Sequence, residues 1–246
     1  MGPDVPARPL TTETIAHHGP SADASRRSHP LEFAQAVLVA VVLALFVRTF
    51  LLQAFVVPSP SMEKTVLVGD HVIVNKFIFA PLALPALERL FPCRPVRRGD
   101  VIVFKFPEDP RRDFVKRAVA LPSDTVEIRD KTVFVNGRRE NEPRALHSDP
   151  RVWPDEPQLP EGLRRRDQIA PLRVPAQSYF ALGDNRDNSY DSRFWGPVPA
   201  STLKGRPLLV YWSHPAGAGG RRAGPIGWMA DFFVNTRWSR TLLPVR

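Results

Sequence analysis

Two hydroxyl groups lie two residues apart in a proline-rich stretch, Pro58-Ser59-Pro60-Ser61-Met62. The two prolines favour an extended backbone, and residues two apart in an extended segment face the same side. We therefore expect the hydroxyls of Ser59 and Ser61 to share a face, where one can act as a nucleophile and the other as a hydrogen-bond donor. By itself the stretch also has the composition of an ordinary linker.

A lysine that could activate a serine lies in the segment Phe114–Leu121, FVKRAVAL. Period-two alternation places Lys116 on a face with one aromatic and two small residues, Phe114, Ala118 and Ala120. Burial on this face would lower the pKa of the lysine and give the neutral amine that a general base requires. The alternative is a lysine at a sheet edge whose side chain extends into water.

A third polar segment, Gly183–Arg193, follows a predicted strand, and taken alone it fits a solvated turn with local hydrogen bonds. Of the six histidines, only His71 and His214 lie in the predicted domain outside residues 138–172, and neither occurs in a catalytic pattern. No H-E-x-x-H motif is present, and the single cysteine, Cys93, cannot form a C-x-x-C pair. The sequence therefore predicts no metal and no cofactor.

The composition fits a domain of ordinary size, with 246 residues, 43% hydrophobic residues and a net charge of +9. The 27 prolines disfavour long helical bundles. Because the arginines are dispersed rather than aligned on one helix face, no nucleic-acid partner is predicted. A second interpretation of the basic charge is a membrane protein whose basic domain lies near anionic lipid headgroups. No pattern specifies an oligomeric state.

The N-terminal part divides into a predicted tail and a predicted membrane anchor. Residues 1–30 show no apolar periodicity, which predicts a disordered tail on the cytoplasmic side. Residues 31–52 include an uncharged run from Phe33 to Val47, and a helix of about 20 residues spans one hydrocarbon core. We therefore predict one transmembrane helix here and assign residues 53–246 to an extracytoplasmic catalytic domain.

Two alternatives to a membrane anchor fit parts of this stretch. A cleavable signal peptide needs a small-x-small cleavage site, and Leu52-Gln53-Ala54 has a bulky leucine at the first position. A buried core helix would be amphipathic, whereas this run is apolar on all sides. Arg26 and Arg27 precede the span and favour a cytoplasmic N-terminus in the inner membrane.

The remaining sequence indicates β structure. Strands are predicted within Thr65–Phe79, Asp100–Phe106, Phe114–Leu121, Thr125–Val135, Tyr179–Leu182 and Leu208–Trp212. A break is expected at Asp130-Lys131 and a tight turn at Asn136-Gly137. Because no long helices alternate with the strands, the predicted fold class is mainly β, a largely antiparallel sheet domain. Residues 138–172 have few apolar anchors and are predicted to form an inserted surface loop or lid.

Together these segments resemble the bacterial type I signal peptidases, membrane-anchored serine proteases with a Ser/Lys dyad. The resemblance covers roughly residues 31–240, and its motifs occur in order at Val57–Val66, Gly69–Phe77, Arg98–Val101 with Phe114–Asp124, and Gly183–Arg193 followed by Trp195–Val198. The sequence departs from the family pattern in two places. Glu63-Lys64 follows the serine motif, and Ala120 and Ser123 replace both glycines of the usual GLPGD.

The resemblance implies that Ser61 is the nucleophile and Lys116 the general base. It assigns supporting roles to further groups: Ser59 and the Ser61 backbone N–H at the oxyanion hole, Ser189 orienting Lys116, and Asp191 with Arg193 as a supporting pair. The implied reaction is removal of signal peptides from exported preproteins, so preproteins and the lipid bilayer are the expected partners. Two alternatives are a self-cleaving Ser/Lys protease of the repressor type and a non-enzymatic, membrane-tethered binding protein.

Overall fold

The computed structural model describes residues 29–79, 93–215 and 225–246. Of the predicted tail, residues 1–28 lie outside these ranges, and His29 and Pro30 begin a helix. The chain divides into two units, Met1–Leu45 and Phe46–Arg246.

The described part of the first unit is helical and belongs to helix α1, His29–Phe46. Its apolar side chains are exposed, for example Leu38 at 63% and Val39 at 60%. The stretch Pro30–Thr49 has 20 residues and a mean hydropathy of 2.2, which is long and apolar enough to cross a membrane. A signal sequence near an N-terminus meets the same criterion.

The described part of the second unit consists mainly of strands. They are β1 (Leu52–Val56), β2 (Asp70–Asn75), β3 (Val101–Lys105), β4 (Asp113–Ala120), β5 (Thr125–Arg129), β6 (Thr132–Val135), β7 (Arg138–Arg139), β8 (Ile169–Arg173), β9 (Ser178–Leu182), β10 (Val198–Pro199), β11 (Leu203–Ser213) and β12 (Leu243–Pro244). The helices are α2 (Glu161–Asp167), α3 (Ser192–Trp195) and α4 (Pro225–Asn235). A π-helical turn forms at Val47–Leu51, and 3₁₀ turns form at Pro60–Met62, Arg186–Asn188, Ala200–Thr202 and Trp238–Arg240.

The strands form two antiparallel sheets. The larger has eight strands in the order β1-β2-β11-β3-β4-β9-β10, with β12 paired to β11. The smaller has four strands in the order β7-β6-β5-β8. Neighbouring strands pair antiparallel in both. The predicted mainly β, largely antiparallel fold class is therefore confirmed.

The two predicted breaks in the small sheet are hairpin turns. Asp130 and Lys131 have φ values of 48° and 64°, and Asn136 and Gly137 have values of 53° and 74°. Positive φ at both central residues is the signature of a type I′ turn, whose twist matches that of the flanking strands. The first turn joins β5 to β6 and the second joins β6 to β7, as the sequence predicts.

Residues 138–172 contain more regular structure than their composition indicates. Their ends belong to β7 and β8 of the small sheet, and α2 lies between them. Most β8 side chains are exposed. A strand can form through backbone pairing without burying its side chains, so apolar content is a weak predictor for such an edge strand.

Apolar side chains cover both faces of β3. Val101 and Val103 pack in one cluster, with Met62 of the serine segment, whereas Ile102 and Phe104 pack in another with Ala118. A third cluster lies around the ends of β4 and β9 and the small sheet, and consists of Val119, Ala120, Val126, Ile128, Val133, Val135, Val174, Phe180 and Leu182. The middle of β4, next to β3, is therefore held by packing around it.

Candidate active site

Ser61 lies on a 3₁₀ turn, Pro60–Met62, rather than on extended chain. Ser59 is extended, with φ −135° and ψ 152°, but Pro60 begins the turn because the fixed φ of proline suits the first helical position. The prediction of an extended segment through both serines is therefore wrong. Their hydroxyl oxygens nevertheless lie 3.3 Å apart.

The serine turn is attached to the protein on two sides. Met62 is buried, and it packs among the valines of the first cluster. On the other side, the carbonyl oxygen of Ser61 accepts a hydrogen bond of 3.0 Å from the backbone N–H of Asn185. The apolar core and the segment 183–193 thus fix the position of Ser61, which is itself only 6% exposed.

Lys116, in the middle of β4, places its Nζ 2.5 Å from Ser61 Oγ. The residue is 3% exposed, and its Nζ lies 5.5 Å from the centre of the Phe114 ring. Within the described part of the chain, Lys116 forms no salt bridge with a carboxylate. Burial lowers the pKa of Lys116 to about 8, against the opposing charges of Asp191 and Asp184. The positive charge of Arg193 contributes to this lowering of the pKa.

Alternation along β4 does not persist to its end. The pairing of β4 with β9 shifts register between Ala118 and Ala120, which marks a β-bulge or similar irregularity. Ala120 consequently packs in the same cluster as Val119 and Phe180. The prediction that Ala120 shares a face with Lys116 is therefore wrong, because it assumed an unbroken period of two.

Asp191 and Arg193 form a buried ion pair at the end of the segment 183–193. Arg193 Nε and Nη2 each donate to the Asp191 carboxylate at 2.8 Å. Burial alone would raise the pKa of Asp191, but the charge and hydrogen bonds of Arg193 hold it below its usual range. Asp191 also accepts from the backbone N–H of Gly183 at 3.0 Å and caps α3. The pair therefore joins the two ends of the segment.

Ser189 Oγ and the Ser61 carbonyl oxygen both lie close to Gly183. A Cβ at position 183 would come within 2.1 Å of Ser189 Oγ and 2.6 Å of the Ser61 carbonyl oxygen. Only glycine permits this close approach. Ser189 Oγ is buried and makes no hydrogen bond with any described residue, so its role in orienting Lys116 stays a prediction.

A second buried ion pair, to which the sequence assigned no role, joins β4 to the same segment. Arg117 Nε and Nη2 each lie 2.7 Å from an oxygen of Asp184. The Thr65 hydroxyl contacts both partners, at 2.5 Å from Asp184 and 2.9 Å from Arg117. One signal could have shown that Arg117 needs a partner, since buried charges are paired and Arg117 lies in a predicted buried strand. Asp184 becomes that partner because it lies two residues after β9, the strand that pairs with β4.

A cleft of about 280 Å³ opens over the paired hydroxyl and amine. Its lining includes Ser59, Ser61 and Lys116, together with Phe114 and Tyr190. A hydroxyl with an adjacent amine in an accessible cleft has the parts needed to attack a peptide carbonyl.

The two domain histidines are engaged elsewhere. The His71 ring lies 4.5 Å from the ring of Trp212, and His214 Nε2 lies 3.0 Å from Asp231. Neither histidine is among the residues that line the cleft. The expectation that they take no part in a catalytic triad is consistent with these positions.

An antiparallel β fold with a serine beside a buried amine is the arrangement of a serine hydrolase. Residues 31–212 match the family described as signal peptidase, peptidase S26. The chain therefore belongs to the signal peptidase family, and it is a serine peptidase that acts on the signal peptides of preproteins. The resemblance found in the sequence motifs is confirmed.

The chain is similar to several signal peptidases over most of its length. It is 35% identical over 210 residues to signal peptidase I of Pseudomonas aeruginosa, covering 75% of this chain and 73% of that protein. It is 35% identical over 201 residues to signal peptidase I of Leptolyngbya laminosa, covering 78% and 85%. A crystal structure of a signal peptidase I from Enterococcus faecalis matches with 33% identity and a TM-score of 0.36, covering 46% of this chain and 97% of that one.

Family membership decides between the alternatives left open by the sequence. A non-enzymatic binding protein and a repressor-type protease are both excluded, because the match to signal peptidases extends over the serine, lysine and Gly183–Arg193 motifs.

Proposed function

We propose that this protein is a membrane-tethered signal peptidase that cleaves preproteins with a Ser61–Lys116 dyad. The observation that carries the proposal is the distance of 2.5 Å between Lys116 Nζ and Ser61 Oγ. Both residues are buried, yet both line an open cleft. This combination suits a nucleophile that must be desolvated and still reach a substrate.

The dyad works through proton transfer between its two members. The neutral Lys116 amine takes the Ser61 proton as Oγ attacks the scissile carbonyl and forms a tetrahedral intermediate. The resulting ammonium gives its proton to the leaving amine, the C–N bond breaks and an acyl-enzyme ester remains. Water, deprotonated by Lys116, then hydrolyses the ester. A pKa of about 8 leaves a useful fraction of Lys116 neutral near neutral pH.

Ser59 and the backbone N–H of Ser61 form the proposed oxyanion hole. The Ser59 hydroxyl lies 3.3 Å from the nucleophilic oxygen, within reach of an oxyanion formed there. The first N–H groups of a helical turn lack intrahelical acceptors, and Ser61 is the second residue of the 3₁₀ turn. Two such donors stabilise the developing negative charge.

Ser189 and the Asp191–Arg193 pair support the lysine. Buried hydroxyls normally have a hydrogen-bond partner, so the unpartnered Ser189 Oγ is a candidate to bond Lys116 Nζ during the reaction. Asp191 and Arg193 fix the two ends of the segment that carries Ser189. In this proposal they act on Lys116 through position and charge, without touching the substrate.

Residues 31–52 act as the membrane anchor in this proposal, and residues 53–246 act as the catalytic domain. The exposed apolar surface of α1 and its 20-residue span suit a lipid bilayer. Arg26 and Arg27 favour a cytoplasmic N-terminus with the catalytic domain on the extracytoplasmic face. A catalytic domain on that face would be on the side of the membrane to which preproteins are exported.

Cleavage of a preprotein by the detergent-solubilised full chain tests this proposal. We expect Ser61→Ala and Lys116→Met to abolish processing, whereas His71→Ala retains most of it. A serine-reactive acylating inhibitor should add its acyl mass to the peptide containing Ser61 and not to the Ser61→Ala protein. Processing by folded Ser61→Ala, or labelling at another serine that blocks activity, would contradict the dyad.

A further inference from the structure

Part of the inserted stretch lies directly against the segment that holds the nucleophile. We call residues 142–149 the clamp segment. The backbone N–H of Leu146 donates to the Asp184 carbonyl at 2.7 Å, and the Arg186 N–H donates to the Leu146 carbonyl at 2.9 Å. These bonds form a parallel bridge between Leu146 and Asn185.

The bridged residues contact the serine turn on their other side. The N–H of Asn185 donates to the Ser61 carbonyl at 3.0 Å, and its side-chain amide donates to Glu63 at 3.2 Å. Residues 184–186 therefore connect the clamp segment to Ser61 through backbone hydrogen bonds. A displacement of the clamp segment would therefore move Asn185, which is hydrogen-bonded directly to Ser61.

An ion pair reinforces this bridge. Arg186 is 3% exposed, and its Nη1 and Nη2 donate to the two Glu142 oxygens at 2.8 and 2.6 Å. Its Nε donates to the Gly183 carbonyl at 3.0 Å. Arg193 Nη2 in turn donates to the Arg186 carbonyl at 2.6 Å. Glu142 thus fixes an arginine that contacts both ends of the segment 183–193.

The clamp segment is attached again at its far end. The backbone N–H of Asp149 donates to the Asp187 carboxylate at 2.8 Å. Lys131 Nζ donates to the Asp149 carbonyl at 2.6 Å and to Asp187 at 2.8 Å.

Apolar packing contributes little near Glu142. A cavity of about 280 Å³ separates residues 140–145 from β4, and its lining includes Gly99, Ala118 and Val119. Because this space is not filled by side chains, the polar contacts of Glu142 and Leu146 hold this part of the clamp segment.

We propose that Glu142 is a positioning residue of the active site, which acts through Arg186 on the backbone of Ser61 and on the surroundings of Lys116. This inference rests on the proposed Ser61–Lys116 mechanism. If Glu142 no longer holds Arg186, segment 183–193 shifts and water reaches Lys116 Nζ. The charged groups facing that amine, Asp184, Asp191 and Arg193, move with the segment.

The test compares Glu142→Gln with Glu156→Gln in the full-length protein. Glu156 lies in the same inserted stretch and is exposed, and its side chain forms no hydrogen bond or ion pair with the described residues of segment 183–193. For Glu142→Gln we expect kcat to fall roughly 10- to 100-fold with little change in KM, since small misplacements of reacting groups have effects of this size. We also expect the rising limb of the pH–rate profile to move to higher pH. Glu156→Gln should match the wild type in both respects.

The pH profile separates positioning from a loss of folded protein, because a smaller folded fraction lowers the rate without moving the limb. An unmoved limb or an unchanged kcat in folded Glu142→Gln would overturn the inference, while an inactive wild type would overturn the proposed function. If Glu142→Gln does not fold, hydrogen exchange of the wild-type protein decides. Peptides covering residues 142–149 and 184–186 should then exchange as one unit, and fast exchange of residues 142–149 beside a protected segment 184–186 would overturn the clamp.

Discussion

Two enclosed lysines of this protein lie in opposite electrostatic surroundings. Lys116 Nζ lies against Ser61 Oγ and the Phe114 ring, and burial lowers its pKa to about 8. The Lys131 side chain, 9% exposed, lies 2.8 Å from the Asp187 carboxylate and 4.0 Å from that of Asp167.

The difference shows that burial alone does not determine whether a lysine can accept a proton or pairs with carboxylates. Enclosure without a carboxylate in contact favours the neutral amine, which can accept a proton. Enclosure between carboxylates instead gives a lysine ion-pair partners, and Lys131 contacts Asp187 and Asp167. The sequence neighbours show part of this difference, since Lys116 lies in an apolar strand and Lys131 in a turn after Asp130.

The largest expected effect is the difference in activity between Lys116→Arg and Lys131→Arg. Lys116→Arg should lower kcat/KM by at least about 10⁴-fold, because a guanidinium does not deprotonate at working pH. Lys131→Arg should keep activity within roughly tenfold, because arginine can still pair with Asp187. Preprotein cleavage by both folded variants measures this contrast. Near-normal turnover by Lys116→Arg would show that the lysine serves only as a fixed charge.

Methionine at the two positions should change stability in opposite directions. Lys116→Met removes an ammonium that the fold desolvates without pairing, so the free energy of unfolding at pH 7 should rise by on the order of 2–3 kcal/mol. Lys131→Met removes the cation 2.8 Å from Asp187 and leaves Arg166 as the remaining cation beside Asp187 and Asp167, so the free energy of unfolding should fall by about 1–3 kcal/mol. Denaturant unfolding of the two variants tests both signs.

The stability gained by Lys116→Met should depend on pH, and the direction follows from the pKa shift of Lys116. The folded-state pKa of Lys116 is lowered from 10.5 to about 8. The protein therefore gains stability from this group as pH rises through that interval, and the advantage of Lys116→Met should disappear above about pH 10.5. If the free energies of unfolding of the wild type and of Lys116→Met differ by a constant amount from pH 7 to 11, Lys116 is not desolvated.

Gly183→Ala should make Lys116 more like an ordinary solvated lysine. The added Cβ would overlap Ser189 Oγ and the Ser61 carbonyl oxygen, so segment 183–193 must move away from the dyad. We expect kcat to fall roughly 10- to 100-fold. Gly162→Ala is the control, because a Cβ there meets nothing within 4 Å. Equal kcat values for the two alanine variants would contradict the close approach at Gly183.

Several features were predictable from the sequence because they depend on local patterns. Apolar residues interleaved with polar ones predict β2, a short continuous apolar run predicts β3, and Asn136-Gly137 predicts its turn, since these signals need no knowledge of distant residues. The motif resemblance also identifies Ser61 and Lys116 as partners, although the two residues lie far apart in the sequence.

The remaining features depend on contacts distant in sequence. No local pattern pairs Arg117 with Asp184 or Glu142 with Arg186, because each pair forms only when the strands and the inserted stretch pack together. The bulge beyond Ala118 is set by the pairing of β4 with β9. The 3₁₀ turn at Pro60 competes with an extended conformation that proline equally permits.

The smallest expected effect is the shift that a nearby carboxylate causes in the pKa of Lys116. Asn188 lines the same cleft as Ser61 and Lys116, and Asn188→Asp adds a negative charge without changing the shape of the side chain. The new charge favours the ammonium, so the pKa of Lys116 should rise and the rising limb of the pH–rate profile should move to higher pH. Because Asn188 is exposed, solvent screening should keep the shift below about one unit. Asn141→Asp, an exposed site that lines other cavities, controls for the change in net charge. A shift to lower pH in Asn188→Asp, or equal shifts in both variants, would mean that the limb does not report the protonation of Lys116.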